Sequence, residues 1–142
     1  MENVNIVSRN KAHDLAVQTM YAFLMLEKCN QLISFESLIE LVFNQEYKDV
    51  DIYIRELLLI ALKNQNVAIT NIEKYLDKWA FNRLNYCMQA ILILSYCEFF
   101  YIKDSDKAVI INIAVKLAKK YGDERDYRFV NAVLDKALNG RD

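Results

Sequence analysis

The first glycine in this 142-residue chain is Gly122, the second and last is Gly140, and proline is absent throughout. At ordinary frequencies of about 7% Gly and 5% Pro, the same length would carry roughly ten glycines and seven prolines. No Gly-x-Gly-x-x-Gly turn and no phosphate-cradling loop can be written from such a sequence, which excludes dinucleotide-binding enzymes and P-loop nucleotidases. Tight two-residue hairpins usually need Asn-Gly or Asp-Gly, and the only Gly-Asp and Asn-Gly pairs lie beside helical patterns near the C-terminus. A β-rich chain is disfavoured, and an all-α fold is expected.

Hydrophobic residues make up 54% of the chain and charged residues 26%, enough to bury a core and keep a wet surface in one domain. A chain of this size buries roughly 68–70% of its unfolded surface, so it needs neither disulfides nor a structural metal. Cys29, Cys87 and Cys97 have no Cys-x-x-Cys spacing, and the single histidine, His13, cannot complete a common Cys/His zinc set. Reduced, buried thiols of a cytoplasmic protein are the expectation, with no cofactor. Residues 1–5 lack the basic start and apolar centre of a signal peptide. The apolar run 90–102 is 13 residues long with Glu98 inside it, short of the ~20 needed to cross a bilayer. It reads as a buried helix.

Apolar spacing divides the chain into a flexible segment at residues 1–7 and a bundle of about seven helices over 8–140. The first helix, capped by Ser8, points Ala12, Ala16, Met20 and Phe23 inward. A short second helix follows Ser34 with Leu38 and Ile39 inward. The third starts at Asp49 or Asp51 and carries Val50, Ile54, Leu57, Leu58 and Ala61 until Asn64, Gln65 and Asn66 break the pattern. The fourth covers 67–76, and Trp79 falls in an apolar connection. The fifth, 84–101, is apolar nearly all round and is the expected centre. The sixth runs from a cap at Asp104, Ser105 or Asp106 to Tyr121, with Val109, Ile113, Ala114, Leu117 and Ala118 inward, and Gly122 fits a left-handed C′ glycine. The seventh turns Val130, Val133, Leu134 and Ala137 inward and ends at Asn139-Gly140.

No catalytic constellation is legible: the carboxylate pairs Asp49/Asp51, Asp104/Asp106 and Asp123/Glu124 sit at helix starts, where capping explains them. An enzyme is not expected. Binding chemistry is more visible. Lys11, Asp14, Gln18, Tyr21 and Met25 follow 3-4-3-4 spacing on the polar side of the first helix, with Arg9, Asn10 and His13 around the start of that line. Cations for phosphates, amides for base edges and rings for stacking are the groups that single-stranded RNA recognition uses. Tyr21 and Met25 could equally lie under a neighbouring helix. On the seventh helix, Phe129 lies about a right angle from the inward stripe, near Arg125 and Arg128, where it can stack a base or fill a gap against the sixth helix. Residues 1–47 carry three basic and six acidic groups and residues 103–142 nine and seven, so no large basic field supports RNA binding without a partner.

The segment Arg9-Asn10-Lys11-Ala12-His13-Asp14-Leu15-Ala16-Val17-Gln18-Thr19-Met20-Tyr21 resembles the arginine-rich opening, Ala-Val-Gln and tyrosine of the NusB family of bacterial transcription antitermination factors. Residues 90–99 are similar to its central apolar helix, 109–119 to its Ile-Asn-Glu-Ala-x-x-Leu-Ala-Lys segment, and 129–135 to its Phe-Val-Asn-Gly-Val-Leu-Asp. The resemblance spans nearly the whole chain. It implies an RNA-binding helical domain that pairs with the ribosomal protein NusE on single-stranded boxA RNA of ribosomal transcripts, within the RNA polymerase antitermination complex. A homodimer of the free protein is left open, and no membrane is involved. By position, it implies phosphate contacts from Arg9, Lys11 and His13, base or framing contacts from Gln18 and Tyr21, and an extension of the surface through Arg128 and Phe129, with Asn10 on the same face. The departures are Asn10 and His13 where arginines are common, Ile113 for Glu, Ala132 for Gly, and Asp106 for a proline. The thinned basic cluster motivates the alternative of a helical protein-interaction module with little RNA binding.

Overall fold

The computed structural model describes residues 9–77 and 80–141, which it folds into α1 (Arg9–Lys28), α2 (Phe35–Phe43), α3 (Ile52–Glu73), α4 (Tyr86–Cys97), α5 (Lys107–Tyr121) and α6 (Glu124–Ala137). Single 3₁₀ turns occur at Tyr47–Asp49 and Phe81–Arg83, and a π turn at Glu98–Ile102 continues α4. The described residues contain no strand. Ser8, Trp79 and the segment 1–7 lie outside the described residues.

Six α-helices are present among the described residues rather than seven, because the expected third and fourth helices are one helix bent at Asn64. There φ is −115° and ψ is 16°, and the Asn64 amide donates to the Ile60 carbonyl at 2.9 Å. A short amide side chain competes with the backbone ladder at this point. The inward stripe nevertheless resumes beyond it at Ala68 and Ile72, so burial on both sides of the bend keeps the helix going.

The centre is α4, in which every residue from Met88 to Cys97 is buried. It runs antiparallel to α1, since His13 meets Glu98 at one end and Tyr21 meets Tyr86 at the other. The helices α1, α3, α5 and α6 all pack around it. Each fully buried Leu or Ile of α4 contributes about 1.5–3 kcal/mol relative to exposure, which explains why a helix with so little polar surface fixes the arrangement of its neighbours.

Local chemistry sets the ends of the helices. Ser34, Asp51 and Asn85 accept bonds from backbone N–H groups as N-caps of α2, α3 and α4. Asp106 holds the N-cap position of α5 without a side-chain bond. Asp123 and Asp126 form a reciprocal capping box at α6. Gly122 is extended, with φ −138° and ψ −165°, rather than left-handed as expected. Its lack of a Cβ matters for another reason: a Cβ would overlap the Asp126 carboxylate as it reaches back to the Asp123 N–H. Gly140 does have a positive φ of 79°.

Two inward assignments shift. In α5, Ile110 takes the buried position and Val109 is exposed, because the stripe runs through 110, 114, 117 and 118. Of the three free thiols only Cys97 is buried. Cys87 is half-buried and Cys29, one residue past the end of α1, is exposed. No described helix is long and apolar enough to cross a membrane.

Candidate nucleic-acid interface

Of the line Lys11, Asp14, Gln18, Tyr21 and Met25 along α1, three members face outward. Lys11 is exposed, and Tyr21 and Met25 are 39% and 38% exposed, so the neighbouring helices cover the ring and the thioether only in part. Asp14 is only 6% exposed and points at the end of α5, where Lys120 Nζ and the Tyr121 hydroxyl both donate to it. Burial works against its charge, but the bonds from Lys120, Tyr121 and Gln18 outweigh that and hold its carboxyl below the ordinary range.

Gln18 is drawn into the same cluster, its amide donating to Asp14 at 3.3 Å and to the Tyr121 hydroxyl at 3.2 Å. With Val17, Tyr21, Val42, Cys87 and Tyr121 it lines an open hollow of about 610 Å³. Tyr21 stands edge-on to Tyr86, the first residue of α4, with ring centroids 6.4 Å apart.

On the other side of the α4 start, Arg83, Leu84, Asn85, Met88, Arg125, Asp126 and Phe129 line a groove of about 430 Å³. Phe129 is half-buried, one part packed on the core and another lining this groove. Arg128 is exposed and pairs with Glu124 one turn earlier in α6. The beginning of α4 therefore touches both Tyr21 and Phe129. Arg83 and Asn85 escaped the sequence reading, since nothing in the local pattern announces that the connection before α4 meets α6.

Arg9, Asn10 and Lys11 are exposed at the far end of α1, roughly 15–18 Å along the helix axis from Tyr21. Arg9 lies over the Tyr53 ring at 4.1 Å. His13 departs from the expected phosphate-facing position: it is 5% exposed, with Nδ1 2.8 Å from the Arg9 carbonyl and Nε2 3.0 Å from both Glu98 oxygens. A one-residue step from Ala12, also buried, turns the ring toward the α4 end, where Glu98 is buried and needs a partner. Among the described residues no group of three His, Cys, Asp or Glu side chains could hold a metal ion.

Fold and surface together define an all-α protein with exposed basic, amide and aromatic groups around one helix start and along α1. Its sequence matches the NusB family over residues 10–139, and the chain belongs to that family. Transcription antitermination protein NusB of Buchnera aphidicola subsp. Cinara cedri (strain Cc) is 33% identical over 133 residues, covering 94% of this chain and 92% of that protein. T. maritima NusB has the same fold, with a TM-score of 0.82 at 23% identity over 95% of this chain and 93% of its own. A crystal structure of antitermination factors NusB and NusE in complex with dsRNA matches with a TM-score of 0.78 at 26% identity, covering 92% of this chain and 95% of that one.

Proposed function

We propose that this chain is a transcription antitermination factor that joins NusE on boxA-like RNA of nascent ribosomal transcripts and helps RNA polymerase pass terminators. The observation that carries the reading is the match along almost the whole chain to a protein solved with both NusE and RNA. The role is a tether and needs no catalytic step: each partner contact raises the effective concentration of the other, so the ternary assembly is tighter than either pair.

On this reading Arg9 and Lys11 meet phosphates, Tyr21 and Phe129 offer ring faces to bases, and Arg128 neutralises the backbone beside Phe129. Asn10 and Gln18 supply polar edges. Rings that are partly exposed favour unpaired bases, which makes the single strand the preferred form, although the solved relative holds dsRNA. Tyr21→Asp and Phe129→Ala, measured by fluorescence anisotropy with a labelled boxA-like strand and NusE present, are expected to weaken RNA binding about tenfold or more each, the loss of one stacked base at 1–3 kcal/mol. Tyr21→Asp should leave the thermal midpoint within a few degrees of wild type. Unchanged affinity in both variants, or tighter binding of the matching duplex, contradicts this surface.

A further inference from the structure

The buried cluster beneath the first turn of α1 does more than fill space. His13 Nδ1 faces the Arg9 carbonyl, which can only accept, so this nitrogen carries a proton. Nε2 faces both oxygens of Glu98, and the same carboxyl receives the Tyr53 hydroxyl at 2.7 Å. Arg9 is thus tied in twice, through its carbonyl to His13 and through its guanidinium over the Tyr53 ring. Three elements, α1, α3 and the π turn after α4, meet at one carboxylate.

We propose that His13 is a positioning residue: as an imidazolium clamped by Glu98 it fixes the first turn of α1, and with it Arg9 on the RNA-facing surface, so that RNA affinity declines with rising pH as the proton is lost. The RNA half of this proposal rests on the function proposed above. Burial alone disfavours the charged ring, but the bond and charge of Glu98, with the Arg9 carbonyl, overcome it and hold His13 above its ordinary value. Of the other groups facing the ring, none changes its charge in this pH range, and the Arg9 cation works against the imidazolium only as the smallest of the contributions. Tyr53 is pushed up to about 12, first by burial and then by Glu98, so its hydroxyl stays a donor. The Arg9 guanidinium is permanently charged. The walls from α4 and α5 supply Leu94, Ser95, Ile110 and Ile113, none of which titrates.

The sign follows. A group whose folded value is raised gives its full contribution below the unfolded value, near 6.5, and loses it as pH rises through the folded one. Past that point a neutral Nε2 turns a lone pair toward a buried carboxylate, and the clamp opens.

His13 is the only histidine, so one imidazole signal reports the state. Long-range 1H–15N spectra of the full-length protein between pH 5.5 and 9 are expected to show both ring nitrogens still protonated above pH 6.5. A ring that titrates at or below 6.5 overturns the clamp. Anisotropy with a labelled boxA-like strand and NusE at constant ionic strength should show wild-type affinity falling by up to tenfold per pH unit beyond the transition, the slope of one linked proton. His13→Arg, which keeps a permanent cation toward Glu98, should bind with a flat profile. Glu98→Gln should bring the His13 titration down, which checks the clamp if the arginine variant does not fold. Equal wild-type affinity on both sides of a clear His13 titration overturns the positioning role. No RNA binding at any pH overturns the proposed function instead, with the clamp still decided by the spectra.

Discussion

Asp14 shows how a polar residue on an apparently outward line becomes part of the interior. The carboxylate is buried between α1 and the last turn of α5, and three donors converge on it. The donors keep access to water, so losing the acceptor costs about the net value of the bonds, and Asp14→Ala should lower stability by about 0.5–1.5 kcal/mol in urea denaturation at pH 7. Because the Asp14 carboxyl is held below its ordinary range, its contribution is present above the unfolded value near 3.9 and is lost as pH falls through the folded one. The difference between wild type and variant should therefore shrink in acid. Equal stability at pH 7 would show the cluster to be ornamental. Neither Asp14 nor His13 could be placed from the sequence: their partners, Tyr121 and Glu98, are 107 and 85 residues away, and the 3-4-3-4 line says only that residues share a side. The same line left Tyr21 and Met25 open between surface and interior, and packing leaves both partly exposed, with Tyr21 edge-on to Tyr86.

At the scale of elements, α4 was legible from its nearly uniform apolar character and the inward stripe of α6 from its spacing, since both signals are created by burial itself. The break at Asn64 was legible too, but whether a break ends a helix or bends it depends on what the following turn packs against, here Ala68 and Ile72 in the core. Gly122 is the subtler case. Its position after α5 resembles a left-handed cap, while its real requirement comes from Asp126, four residues later, folding back over it. Gly122→Ala should therefore disrupt the capping box and cost about 0.5–2 kcal/mol, the range for a lost N-cap. Calorimetry of a double-mutant cycle separates the causes: in an Asp126→Gly background the same glycine substitution should cost almost nothing, because the carboxylate and the Cβ it would meet are gone. Additive losses would return the glycine to a purely backbone role.

For the whole molecule, charge and shape set different limits. The formal net charge is −1, and the mild basic excess lies in residues 103–142, so electrostatics alone cannot hold RNA tightly at physiological salt. The exposed groups are nevertheless spread along α1 and around the start of α4, a geometry in which a short strand can touch cations at Arg9 and Lys11 and rings at Tyr21 and Phe129. An assembly of this kind gains its affinity from a second partner, which fits the NusB relative solved with NusE and RNA. The exposure of Arg9 and Lys11 was readable from the chain alone. The groove that adds Arg83 and Arg125 was not, since it exists only once α4 and α6 are packed together. The most direct measurement is a titration of a labelled boxA-like strand with the protein at low and moderate salt, with and without NusE, repeated for the Arg9→Ala/Lys11→Ala variant. RNA binding that is salt-sensitive, strengthened by NusE and weakened in the double variant is the expected result; NusE binding with no RNA contribution even at low salt would contradict it and leave a protein-interaction module.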